Sequence, residues 1–248
     1  MHHFYLDCPA GLRDGQMINN KKSFCKQLVC KIVWPLLLFT SLLSYSTFAA
    51  INFDRLINLA GMQYGVQAQK TMIELSALFS ALQNAQDHEK IRRINEFINR
   101  KIRVFDDDIN IWGKSDYWAT PLESLGREAG DCEDYSIAKY LLLRELGIPN
   151  DKLRLTYVRA QIGGPGSKVF QAHMVLSYYE TTDAEPLILD NLITDIRPAS
   201  RRADLKPVFG FNSEDLWVGN TAGSRGDSSA YLSRWRDLLE RAKKEGIE

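Results

Sequence analysis

One cysteine stands among acids in Gly130-Asp131-Cys132-Glu133-Asp134-Tyr135. A thiol can serve as a nucleophile, and three carboxylates beside it can hold a hard cation or simply solvate a helix start. The residues that follow, Ile137, Ala138, Leu141, Leu142 and Leu146, recur at helix spacing and stop at Gly147, which puts Cys132 at or near a helix N-terminus. Unpaired N–H groups and the positive end of the peptide dipole favour an anion there, and for a thiol that anion is the reactive thiolate. The carboxylates oppose this by raising the thiol pKa, so a bound cation is the obvious means of neutralising them. Taken alone, the block reads equally well as a buried helix cysteine with ordinary N-terminal acids.

A thiol nucleophile needs a base. Beyond residue 50 the chain has two histidines. His88 sits among charged neighbours in the first turn of an expected helix and reads as a solvated surface residue. His173 lies between Ala172 and Met174 inside a β-type run. A histidine there is more often a satisfied sheet residue than a catalyst, yet it is the well-placed base on offer. Seventeen residues later, Asp190 ends the next strand signal, Pro186-Leu187-Ile188-Leu189-Asp190. A turn near Thr182-Asp183-Ala184 between two antiparallel strands brings His173 and Asp190 together. Asp190 then accepts one imidazole N–H and leaves the other ring nitrogen to the thiol, with the Cys132 backbone N–H available for an oxyanion.

The elements that must position these groups fall in a simple order. Residues from Phe53 to about Gln86 read as helix, broken once by Gly61 and Gly65. A second helix starts at Asp87 as N-cap and runs to about Arg103 with the stripe Ile91, Ile94, Phe97, Ile98 and Ile102. Phe105 to Thr120 is polar and aromatic and reads as a long loop. Its Asp106-Asp107-Asp108 is a weak cation signal, because it lacks the glycine and terminal glutamate of an EF-hand loop. Thr120-Pro121 starts a short helix to Arg127. After Gly147 come strand signals at Leu153–Val158, Lys168–Tyr179, Pro186–Asp190, Lys206–Phe211 and Leu216–Val218, with a turn at Gly163-Gly164-Pro165-Gly166-Ser167. A helix from Ser228 to Lys244 closes the chain. Helices followed by strands imply an α+β domain with a mainly antiparallel sheet.

The first fifty residues differ from the rest. Lys21, Lys22, Lys26 and Lys31 precede the apolar run Ile32 to Tyr45, and Ser46, Thr47, Ala49 and Ala50 follow. Basic, apolar, then small is the order of a secretory signal peptide, cut near Ala49 or Ala50, and it predicts a periplasmic protein. The run is short for a transmembrane helix and Pro35 interrupts it, so an uncleaved anchor is the lesser alternative. Met17 is a second candidate for the start. Residues 1–50 carry five basic and two acidic residues, so residues 51–248, read as a single domain, hold 26 basic and 29 acidic residues, a net charge of −3. The whole chain is formally neutral with no basic block, which makes nucleic acid a poor partner. Cys8, Cys25 and Cys30 also fall within residues 1–50, leaving Cys132 without a partner within its own chain and marking it as a free reactive thiol.

With the Gly130 to Tyr135 block, Ala172-His173-Met174-Val175-Leu176 and Leu189-Asp190-Asn191 in view, the chain resembles the bacterial transglutaminase-like cysteine proteinases of the LapG type, from about Phe53 to Trp235. The resemblance implies a papain-like or transglutaminase-like fold with Cys132 as nucleophile, His173 as base and Asp190 as orienter. It also implies Ca²⁺ dependence, with Asp131, Glu133 and Asp134 as ligands. It further implies cleavage of a large surface adhesin near its N-terminus, releasing biofilm cells, and sequestration by an inner-membrane receptor that senses cyclic di-GMP. The sequence departs from the family pattern before Met17 and in the long Gly163 to Ser167 turn, and neither departure touches the triad. Two other readings stand beside the protease. One is a transglutaminase-type acyl transferase, which forms the same thioester with an amine as acceptor. The other is a non-catalytic module that binds adhesin or receptor.

Overall fold

The structure is a computed structural model that describes residues 51–218 and 229–247; the leader and the alternative start at Met17 lie outside the described residues. The chain opens with α1 (Phe53–Tyr64), whose N-terminus is capped by Asn52 accepting the Arg55 N–H at 3.0 Å. Gly65, at φ 89°, ends α1 and starts α2 (Val66–Leu82). The break therefore falls at Gly65 alone. Gly61 stays helical, and a Cβ there would lie 3.0 Å from the Gln69 amide nitrogen, which shows how closely α1 and α2 approach.

The helix α3 (Asp87–Lys101) buries the expected stripe Ile91, Ile94, Phe97 and Ile98. Asp87 is not its cap. Gln86 holds that position, and the Asp87 carboxylate instead accepts bonds from Lys152 Nζ at 3.0 Å and the Tyr178 hydroxyl at 3.2 Å, tying the helix to the sheet. His88 is exposed, 3.8 Å from Glu180. The expected loop contains β1 (Val104–Phe105) and the single turn α4 (Asp108–Ile111). Then α5 (Pro121–Arg127) begins with a complete capping box between Thr120 and Glu123. The strand β2 (Ala129–Gly130) pairs in parallel with β1 and leads into α6 (Cys132–Glu145), which ends before Gly147 at φ 84°.

The remaining strands are β3 (Leu153–Ile162), β4 (Val169–Tyr178), β5 (Leu187–Leu189), β6 (Arg197–Pro198), β7 (Leu205–Phe211) and β8 (Leu216–Val218). They form one antiparallel sheet in the order β6-β5-β4-β3-β7-β8. Its spine is the β3–β4 hairpin, in register from Leu153 opposite Tyr178 to Ile162 opposite Val169. The glycines of its turn, Gly163 and Gly164, both take φ near 90°, which a Cβ would resist. A bulge at Tyr157 and Val158 bends β3 against β7.

Helix α6 is the hub. Ile137, Ala138, Leu142 and Leu143 are fully buried, and it packs on β4, β3, α3 and α5. The last helix, α7 (Ser229–Glu245), closes the sheet end through Trp235, whose ring meets Tyr140 at 5.5 Å, Phe211 at 5.8 Å and Trp118 at 6.3 Å. Such aromatic contacts add about 0.5–1.5 kcal/mol each beyond area burial. Among the described residues, no helix is long and apolar enough to cross a membrane.

Candidate active site

Cys132 is the first residue of α6. Gly130 makes this approach possible, since a Cβ there would lie 2.8 Å from the Asp134 Cβ. Asp131 caps the helix and accepts the N–H groups of Glu133 at 3.1 Å and Asp134 at 3.4 Å, while Asp134 reaches back to the Asp131 N–H. The Cys132 thiol donates to Glu133 Oε2 at 2.8 Å, and the Tyr157 hydroxyl donates to Glu133 Oε1 at 3.2 Å. Burial and the charges of Glu133 and Asp131 push the thiol pKa strongly up, and a hydrogen bond from the Met174 backbone acts the other way.

His173 and Asp190 meet as the strand order predicts. His173 lies on β4 opposite Val158, and Asp190 directly follows β5. Their Nε2 and Oδ1 atoms are 2.7 Å apart, with His173 only 3% exposed and Asp190 fully buried. Asp190 Oδ1 also accepts the N–H groups of Asn191 at 2.7 Å and Leu192 at 3.1 Å, and Oδ2 accepts from Arg202 Nη2 at 2.7 Å. Burial would raise this carboxyl, but the bonds and charges of His173 and Arg202 outweigh it and hold Asp190 well below the usual carboxylate range. With Nε2 committed to Asp190, Nδ1 is the ring nitrogen left for chemistry.

The first turn of α6 is stitched to β4 at the residue after His173. The Ser136 hydroxyl donates to the Met174 carbonyl at 3.1 Å, and the Met174 backbone reaches the Cys132 sulfur. Behind this junction, Lys139 is fully buried, and its Nζ has no hydrogen-bond partner. Burial pushes its pKa down to about 7, with the Asp190 charge opposing.

A second group of acids forms around Asp131 and Asp134. Asp108, on α4, brings a carboxylate oxygen into their company, the three oxygens lying within 4.8 Å of one another. Asp134 accepts from the Ala119 N–H at 2.8 Å and Trp112 Nε1 at 3.3 Å, and Asp108 accepts from the Tyr117 N–H at 2.5 Å. Burial and the neighbouring carboxylates raise all three pKa values: Asp131 to about 9, Asp134 to about 8, Asp108 to about 6.

These residues fit a hard divalent cation. The donors are carboxylate oxygens, and Asp108 Oδ1 is buried with no hydrogen-bond partner, a leftover acceptor that a cation would use. Asp131 and Asp134, which the resemblance implied as ligands, both lie in this cluster. Glu133 faces Cys132 and Tyr157. Asp108 is the residue that sequence reasoning passed over: it belongs to the weak acidic triplet, whose Asp106 is occupied locally by Asn110 Nδ2 and the Asp107 N–H. Arg202 was also missed, since nothing in its local sequence marks it as a partner of Asp190.

Comparison with known proteins shows the family to which the chain belongs. A family model for bacterial transglutaminase-like cysteine proteinases matches residues 66–204. Among solved structures, an EGTA-treated form of Legionella pneumophila LapG is 36% identical with a TM-score of 0.65, covering 78% of this chain and 98% of that one. A calcium-bound form of the same Legionella protein is 38% identical with a TM-score of 0.63, covering 77% and 99%. A comparison with curated proteins finds no match.

Proposed function

Since the chain belongs to the bacterial transglutaminase-like cysteine proteinases, with their α+β papain-like core, we propose that it is a calcium-dependent endopeptidase of the periplasm that clips the N-terminal region of a large cell-surface adhesin. Cleavage releases biofilm cells, and an inner-membrane receptor sensing cyclic di-GMP sequesters the protease when that nucleotide is abundant. Residues 1–50 act as the export signal. The observation that carries the reading is the convergence of Cys132, at the start of α6, on the strand position next to the His173–Asp190 pair. The similarity to LapG over nearly that protein's whole length supports it.

In this mechanism His173 Nδ1 takes the Cys132 proton as the sulfur attacks the scissile carbonyl carbon, and the Cys132 backbone N–H donates to the developing oxyanion. Asp190 holds the imidazole through Nε2 and stabilises its charged form. His173 then returns the proton to the leaving amine, so a thioester on Cys132 and a free peptide N-terminus result. Water activated by His173 hydrolyses the thioester and restores the thiol. Asp108, Asp131 and Asp134 hold Ca²⁺, with Glu133 as the further ligand implied by the family pattern. The chemistry it supplies is charge neutralisation, which relieves the carboxylate field that keeps the thiol protonated.

The test incubates purified protein with the N-terminal region of a large adhesin from the same genome, comparing wild type with Cys132→Ala, each in Ca²⁺ or chelator. Two defined fragments only for wild type with Ca²⁺ are expected. Cleavage by Cys132→Ala, or undiminished cleavage in chelator, overturns the assignment, and crosslinked substrate without new termini identifies an acyl transferase.

A further inference from the structure

A cavity of about 410 Å³ opens on one face of the sheet, lined from five strands, and neither Cys132 nor His173 lines it. Strand alternation explains its lining. Arg154 pairs with Ser177, and Thr156 with Val175, so these side chains share a face of the β3–β4 hairpin, and Ile188 joins them from β5. Its floor is the small apolar cluster Val158, Val175, Ile188 and Leu205, separate from the main core. The volume lies within the range of small-molecule sites.

Among the described residues, the charged groups lining this cavity are Arg154 and Arg202, and no acidic side chain lines it. The Arg154 guanidinium is sandwiched between Tyr179 and Trp217, 4.1 Å from each ring centroid, which covers its faces and leaves its in-plane N–H groups as its polar outlet. Its Nε is buried without a hydrogen-bond partner among the described residues. Arg202 is 3% exposed, and although Nε and Nη2 serve Asp190 and Asp204, its Nη1 is also buried and unpartnered. The Thr156 and Ser177 hydroxyls, 2.9 Å apart, satisfy each other. Two arginines with unsatisfied N–H groups on the lining of one cavity favour an anionic acceptor there.

We propose that this cavity binds a small apolar monocarboxylate, its carboxylate taken by Arg154 and Arg202 and its hydrocarbon laid on Val158, Val175 and Ile188. Arg154 supplies the net charge, because the charge of Arg202 is already matched by Asp190 and Asp204. Arg202 supplies a directed N–H from the same guanidinium that steadies Asp190.

Octanoate is the probe, with octan-1-ol as the uncharged control, titrated calorimetrically into the purified protein. Two variants accompany wild type, each checked for folding by circular dichroism. Arg154→Met removes the charge, and Val208→Glu places an acid at the exposed rim, where it threatens folding least. Octanoate is expected to bind wild type at least about tenfold more tightly than octan-1-ol, and each variant to lose at least about tenfold in octanoate affinity with octan-1-ol unchanged, the worth of one charge-assisted hydrogen bond. Equal binding of acid and alcohol, octanoate affinity unaltered in the variants, or no octanoate binding at millimolar concentration overturns the proposal. Binding is read without substrate, so the result is independent of the proteolytic reading.

Discussion

Two groups of buried carboxylates flank the junction of α6 and the sheet, and they behave in opposite ways. Asp190 is fully buried, yet it receives donors from His173, Arg202 and two backbone N–H groups and stays ionised. Asp134 is buried and Asp131 partly buried, beside each other, Glu133 and Asp108, and the pKa values of Asp131 and Asp134 climb to about 9 and about 8. Burial raises both groups. The difference lies in what surrounds them: the Asp190 carboxylate faces donors and cations, while the carboxylates at the helix start face one another, the arrangement on which the proposed cation site rests.

Cys132 stands where the two meet, and its substitution has the largest expected effect. Cys132→Ala should lower adhesin cleavage by about 10⁴–10⁶-fold, as removal of a thiol-type nucleophile does, with an unchanged unfolding midpoint; activity and urea titration on one preparation check both. Next is Asp190→Ala. It removes one of the two carboxylates on the buried Arg202 guanidinium, leaving Asp204, and should cost about 1–3 kcal/mol in urea unfolding while abolishing turnover. A loss below about 1 kcal/mol would show that Asp190 does not hold this region together.

Calcium separates the two groups. At about 100 times its dissociation constant Ca²⁺ should add about 2.7 kcal/mol to wild-type stability, and Asp108→Asn should lose that increment while keeping the metal-free stability or gaining up to about 1 kcal/mol, one pKa unit's worth. An increment that survives Asp108→Asn would remove Asp108 from the site.

The smallest effect is a pH slope whose sign differs between the groups. Asp190 has a folded pKa below its unfolded value, so its contribution is fully present above about pH 4 and is lost as pH falls. Asp131 and Asp134 have folded pKa values above the unfolded one. Without metal, stability therefore drains as pH rises from about 4 through 8 and 9, because the folded state holds protons the unfolded state has released. Unfolding across that range in chelator should show the decline, and Ca²⁺ should flatten it.

The sequence carried what depends on local pattern. The start of α6 followed from helix period and the stop at Gly147, and the meeting of His173 with Asp190 followed from two strand signals and a turn of the right length. It did not carry what depends on placement across the fold. Asp108 reaches Asp131 and Asp134 because the β1–β2 pair folds its loop back, and a two-residue parallel ladder leaves no periodic trace. The helix α3 shows the same limit: Asp87 suits a cap by type, but Lys152 and Tyr178 outbid that role from the sheet.

The β1–β2 pair has a consequence for how the molecule breathes. The segment between α3 and α5 is held by that short ladder, by the Arg103 and Val104 N–H groups on the Glu128 carbonyl, and by the bonds from Trp112 and Ala119 to Asp134. Val104, Phe105 and Ile109 are about half exposed, so little apolar area anchors residues 103–111, whereas Trp118 and Ala119 at the far end are buried. In the language of hydrogen exchange, residues 103–111 are expected to be a low-barrier unit beside a high-barrier hairpin, opening with Asp108 while β3, β4 and α6 stay closed.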